Sequence, residues 1–176
     1  MNPFWHNIFR MSGYEQTLSY FLSTVPVFNK LDKRELKILE QTVHIRNYLA
    51  DEMIFSQADI GSGMYIIRSG KVRIFTQSEH GQETEQAVLE TGDFFGEVAL
   101  TASRPRGAAA RAVEATVLVG LFRSDFQETV RRHPIAAGKI LLSLNRIVSD
   151  RLLQCSLQLE ELKKHYQSLA ESGKHE

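Results

Sequence analysis

One cysteine, Cys155, is all the thiol chemistry this 176-residue chain carries. An internal disulfide is therefore excluded, and neither a CxxC pair nor a clustered histidine spacing is present to hold a metal. Net charge is missing too, since 21 lysines and arginines face 21 aspartates and glutamates. No overall field then draws the chain to nucleic acid or to an anionic membrane, and any bound anion has to be held locally. The N-terminus MNPFWHNIFRMSGYEQ lacks a basic stretch followed by an apolar run, and no apolar stretch reaches the ~18 residues of a membrane span. These absences predict a reducing, cytoplasmic setting, with no membrane span, resident cofactor or metal.

What is present suffices for a core, because 43% of the residues are hydrophobic. That fits one compact unit with an appendage. Phe4, Trp5, Ile8, Phe9, Leu18, Phe21 and Leu22 recur at the spacings of an amphipathic helix, broken near Gly13. LDKRELKILEQTV predicts a short helix with Asp32 as its cap, Glu35 three residues on, and Leu36, Leu39 and Val43 on one side. Short β-rich runs follow, EMIF, GMYIIRSG, KVRIFTQ, EQAVLE and ATVLVGLF, separated by Gly, Asp and Ser turns. The predicted fold class is α+β: an antiparallel β-roll, a jelly-roll-like barrel, with N-terminal helices and a long C-terminal helix. The expected boundaries are a helical segment over 1–44, the β-roll over 45–133, and the long helix with a polar tail over 134–176.

Beyond Pro134 the period changes. Leu141, Asn145, Val148, Leu152, Cys155, Leu159, Leu162, Tyr166 and Leu169 alternate at spacings of four and three, a heptad seam on one helix from near Ile135 to near Leu169. The seam predicts a homodimer joined through this helix. A second apolar set, Ile140, Leu144, Ile147 and Leu153, flanks its first half, so the helix start can lie on the β-domain while its end meets a partner chain. Asn145 either is buried in the seam, selecting a two-stranded register, or faces solvent.

The densest chemistry lies in FFGEVALTASRPRGAAARA, residues 94–112. Gly92 and Asp93 suggest a turn, Gly96 a tight bend, and EVAL one helical turn whose amides suit an anion. Arg106 brings a permanent charge and a planar donor fork for phosphate oxygens. Glu97 repels phosphate but accepts from a sugar hydroxyl. The small residues from Gly107 to Ala110 leave the backbone open to a ligand. A ribose phosphate would satisfy both charges. The same residues also read as a surface ion pair, Glu97 with Arg106, beside a short alanine-rich strand. Composition leaves both readings open.

FGEVALTASRPRGAAARA resembles the phosphate-binding cassette of cyclic nucleotide-binding domains, the family of catabolite activator proteins and protein kinase A regulatory subunits. The likeness runs back through EMIFSQADIGSGMYIIRSGKVRIF and VPVFNKLDKRELKILEQTV, and covers roughly residues 18–155. It implies that Glu97 binds the ribose 2′-hydroxyl, that Arg106 pairs with the cyclic phosphate, and that Gly96, Val98, Ala99, Gly107 and Ala108 line the pocket. The helix after the β-domain is implied as a lid over the base, with Leu152, Cys155 and Ser156 as candidate contacts. Ala58 departs from the family's usual glycine, in a turn read as distant from the phosphate. Gly107 lacks the hydroxyl that cGMP-binding relatives often carry there, which favours cAMP.

The resemblance implies a sensor and no catalysis. No HD pair or other metal-ligand spacing of a phosphodiesterase is present, and no nucleophile stands with a base. Many bacterial relatives carry a helix-turn-helix domain after the long helix, whereas about twenty residues follow Cys155 here, so direct DNA binding by this chain is not expected. The expectation is a cyclic nucleotide sensor, cAMP favoured over cGMP, that passes its signal through the C-terminal helix to an unknown effector protein. The alternative is a dimerising protein-interaction module whose pocket is empty or repurposed.

Overall fold

The computed structural model describes residues 17–172, with side chains to residue 167. Phe4, Trp5, Ile8, Phe9 and Gly13 of the expected N-terminal helix lie outside the described residues, as does the Leu169 side chain.

Two short helices open the fold, α1 (Leu18–Thr24) and α2 (Lys33–Thr42). The Thr17 hydroxyl caps α1 by accepting from the Tyr20 amide at 3.1 Å. Helix α2 begins where the sequence predicts it. Asp32 accepts from the Arg34 and Glu35 amides at 2.8 and 2.9 Å, and the Glu35 carboxylate accepts from the Asp32 amide at 2.7 Å. This reciprocal box satisfies amides that the first turn leaves without partners.

The strands are β1 (His44–Tyr48), β2 (Met53–Phe55), β3 (Gly63–Ser69), β4 (Val72–Gln77), β5 (Glu83–Leu89), β6 (Phe94–Phe95), β7 (Ala109–Ala112) and β8 (Thr116–Phe122). Helix α3 (Val98–Thr101) lies between β6 and β7, and α4 (Arg123–Arg132) and α5 (Pro134–Ser172) follow β8. The α+β class stands, but the jelly-roll-like barrel does not form. The strands make two four-stranded antiparallel sheets, ordered β1-β8-β3-β6 and β2-β7-β4-β5, and among the described residues no strand pair joins them. At one edge of each sheet the reason is local. Strand β6 is two residues long and the chain turns away at Gly96, whose φ is +75°, while β2 has three residues and an irregular register against β7. Neither edge offers a run long enough to carry a ladder across.

Strand β3 explains the layering. Its Met64 and Ile66 pack with the helices, in a cluster that includes Leu22, Phe28, Leu39, Val119 and Ile140. Its Tyr65 and Ile67 face the second sheet, with Phe95, Leu118, Val72 and Ala110. A strand covered on both faces reads as an unbroken apolar run, as GMYII does. Each fully buried side chain of this size adds about 1.5–3 kcal/mol.

Helix α5 has two halves. Ala136, Ala137, Ile140 and Leu144 are buried in the helical cluster and Ile147 packs against it, while Lys139 Nζ donates to Glu35 at 2.7 Å. Farther along, Leu152, Leu153, Leu159, Leu162 and Tyr166 are 53–73% exposed. The flanking apolar set therefore meets the domain at Ile140, Leu144 and Ile147 but not at Leu153. Among the described residues, no helix is long and apolar enough to cross a membrane.

Candidate functional site

The turn ahead of the cassette forms as the sequence suggests. Gly92 adopts φ +93°, the Asp93 amide donates to Glu90 O at 3.0 Å, and the Glu90 amide donates to the Asp93 carboxylate at 2.9 Å. Two residues of β6 follow, then the Gly96 bend and the single helical turn α3. A cavity of about 390 Å³ opens beside it, lined by Phe55, Ile74 and Phe95, by Gly96–Ala99, and by residues 104–108. Gly96, Glu97, Val98, Ala99, Arg106, Gly107 and Ala108 thus share one wall system. The Ala99 amide already donates to Gly96 O at 3.1 Å within that turn. At Gly107 an added Cβ would meet nothing within 4 Å.

Arg106 is 9% exposed and, among the described residues, pairs with no carboxylate. Its Nη1 donates to Gly96 O at 3.0 Å and its Nη2 to Gly63 O at 2.8 Å, while the guanidinium carbon lies 4.1 Å from the Phe55 ring centroid. Three of its five N–H donors remain for a ligand. Burial pushes its pKa below the ordinary arginine value, with Tyr65, Glu97 and Asp59 pulling the other way. It stays charged at any physiological pH. A buried cation with spare donors and no carboxylate hydrogen-bonded to it among the described residues is chemically suited to an anion.

Glu97 answers the ion-pair alternative differently from either reading of the sequence. Its partner is Arg151 of α5, with Nη1 to Oε1 at 2.7 Å. Its side chain is 14% exposed. The backbone around Ala58 adds a further contact to the site. That residue stands at φ +69°, and its turn is tied to the backbone of Arg106. The Ala58 amide donates to Arg106 O at 2.9 Å, and the Arg106 amide donates to Asp59 O at 2.8 Å.

Leu152, Cys155 and Ser156 are exposed and stand outside the cavity wall. Asn145 is exposed, beside a groove of about 420 Å³ between α3 and α5 that also touches Leu141, Val148 and Glu97. Two arginines that organise the site escaped sequence reasoning. Arg123, the first residue of α4, donates from Nη1 to Gly61 O and Ala99 O, both at 3.1 Å, and so pins the loop and α3 together. Arg151 reaches Glu97 across 54 residues of chain. Nothing local marks either, since each partner is set by the tertiary fold. Among the described residues, no group of His, Cys, Asp and Glu is arranged to hold a metal ion.

Two sheets, an apolar cavity, and a buried arginine and a carboxylate in its wall give the fold a lined pocket of small-molecule size. Residues 45–133 match the family model of the cyclic nucleotide-binding domain, and the chain belongs to that family. It is 37% identical over 137 residues to the cyclic AMP receptor protein of Thermus thermophilus, covering 78% of this chain and 62% of that protein. The crystal structure of the Thermus thermophilus catabolite activator protein aligns with a TM-score of 0.71 at 36% identity, covering 78% of this chain and 63% of that one. The N-terminal domain of a transcriptional regulator from Streptomyces coelicolor aligns at 0.68 and 25% identity, covering 74% and 94%. The chain therefore spans somewhat under two thirds of the Thermus receptor's length. Its matched region is a non-catalytic regulatory domain.

Proposed function

We propose that this chain is a cyclic nucleotide sensor that binds cAMP in preference to cGMP and signals through α5. One observation carries the reading: Arg106 is buried without a carboxylate, its charge directed to two carbonyls and a cavity. The cyclic phosphate neutralises that charge, Glu97 accepts from the ribose 2′-hydroxyl, and Phe55, Ile74 and Phe95 give the ligand apolar walls. The preference for cAMP rests on Gly107, which offers no hydroxyl to a guanine amino group, and on the name of the Thermus relative as a cyclic AMP receptor. Leu152, Cys155 and Ser156 reach the base only if α5 moves toward the cavity when ligand binds. The second half of the seam, exposed from Leu152 to Tyr166, supports a homodimer through α5 and an effector protein that reads it.

Thermal melting with cAMP, cGMP or buffer tests the proposal. A specific ligand at 100 times its dissociation constant adds about 2.7 kcal/mol of stability. A larger shift with cAMP than with cGMP is expected. No shift with either nucleotide favours the alternative, a dimerising interaction module with an empty or repurposed pocket.

A further inference from the structure

We propose that Arg151 is the positioning residue for the hydroxyl-reading half of this pocket, so that α5 senses a bound nucleotide through its ribose 2′-hydroxyl. The inference rests on the cyclic nucleotide reading above and adds a residue and a direction of coupling to it.

Glu97 lines the cavity, and its Oε1 is held by Arg151 Nη1 at 2.7 Å. Its other oxygen, Oε2, makes no hydrogen bond among the described residues. The guanidinium carbon of Arg151 lies 4.8 Å from the centroid of Phe94, a ring that is 4% exposed. The arginine is thus braced on a fixed aromatic face and holds the carboxylate by one oxygen. The free oxygen can take one neutral donor without displacing the arginine. A ribose hydroxyl is such a donor, and a phosphate is not. Arg151 also offsets the negative charge of Glu97, which would otherwise oppose an anion bound at Arg106.

The position of Arg151 on the helix gives this pairing its consequence. Among the described residues, the ion pairs of Lys139 with Glu35 and Arg151 with Glu97 tie α5 to the rest of the fold. The first lies in the buried half, beside Ile140. The second lies where the helix leaves the domain, one residue before the exposed Leu152, and it alone includes a residue of the cavity. Arg106 makes no hydrogen bond to α5 among the described residues, its two side-chain bonds going to Gly63 and Gly96. Of the two charges that meet the ligand, only Glu97 is therefore connected to the helix. By linkage, any tightening of the Glu97–Arg151 pair by the hydroxyl is returned as tighter ligand binding when the helix is docked.

The experiment compares cAMP with 2′-deoxy-cAMP on the full chain. Calorimetry gives the affinity ratio in the parent, R151A and R151K, and hydrogen exchange follows the backbone of residues 145–157 with each nucleotide. In the parent, cAMP is expected to bind about tenfold or more tighter than the deoxy ligand, the scale of a charge-assisted hydrogen bond. cAMP should also slow exchange over this stretch more than the deoxy ligand does at saturation. R151A is expected to bring the ratio below about threefold and to erase the exchange difference, with R151K between the two because it keeps the charge without the fork. A parent-like ratio in R151A overturns the proposal, and so does equal protection of α5 by the two nucleotides in the parent. Should R151A fail to fold, R151K and the parent's two-ligand comparison still decide. A parent that binds neither nucleotide removes the cyclic nucleotide reading itself, an outcome recognised before any variant is made.

Discussion

The Arg106 guanidinium lies 4.1 Å from the centre of the Phe55 ring on β2 and donates to Gly63 O on β3, so one side chain touches both sheets. Replacing it strands any bound phosphate and unties two carbonyls. Arg106→Leu is expected to lose about 2–5 kcal/mol of cAMP binding, measured by calorimetry. Near-equal affinity of variant and parent would sink the assignment.

Two glycines in the cavity wall predict opposite outcomes. At Gly96, with φ +75°, an added Cβ would lie 2.4 Å from Arg106 Nη1, so Gly96→Ala should lower the melting temperature and displace the arginine from its cradle. At Gly107 the space is empty, so Gly107→Thr should melt like the parent while narrowing the preference for cAMP over cGMP. A Gly107→Thr protein with unchanged selectivity would remove this position from the basis of the cAMP preference.

Ala58 stands at φ +69°, a conformation that costs a non-glycine residue about 1–2 kcal/mol. Part of the gain on substitution is returned through the greater freedom of glycine in the unfolded chain. Ala58→Gly should therefore stabilise the protein by about 0.5–1 kcal/mol in urea titration. A destabilised variant would contradict the strain assigned to this turn.

The exposed half of the seam predicts self-association. Sedimentation of the parent is expected to give twice the 20.0 kDa chain mass, and Leu159→Lys with Leu162→Lys the mass of one chain. A parent that stays monomeric across micromolar concentrations would leave α5 to another partner.

Glu83 supplies a pH signature. Hydrogen bonding to Arg73 at 2.7 Å, reinforced by Arg111 at 3.0 Å, lowers its pKa against the cost of desolvation. A carboxylate with a lowered folded pKa stabilises the fold above its unfolded pKa, about 4.3, and loses that contribution as pH falls through the folded value. The melting-temperature gap between parent and Glu83→Gln should accordingly be present at pH 7 and shrink below about pH 4.3. A gap that is constant over pH 3–7 would show that the ion pairs play no part.

The elements that could be read from the sequence are those whose cause is local. The Asp32–Glu35 box, the Gly92 turn, the Gly96 bend and the α3 turn each follow from a few adjacent residues. Helix α4 went unread because RSDFQETVRR offers only Phe126 and Val130 as apolar markers, and Phe126 alone of these is buried. Strand β1 carries no inward pattern, with four of its five residues exposed at a sheet edge. The alanine strand β7 holds its place through its neighbours β2 and β4, not through propensity. Closure of the sheets could not be read, since it depends in part on how the short edge strands β2 and β6 end. In the site, Arg106 and Glu97 stood out as charges among small residues, whereas Arg123 and Arg151 acquire their partners only when distant segments meet.

The 39 residues of α5 make a rod about 58 Å long at 1.5 Å per residue. Its last buried contacts lie near Ile147, and the stretch from Arg151 to Ser172 adds about 32 Å beyond the cavity. A tilt of about 10° around that departure point would sweep the tip through about 5 Å, roughly one helical turn. A displacement too small to notice beside Glu97 is thereby magnified into one that can shift a facing helix by a full step of its ridges.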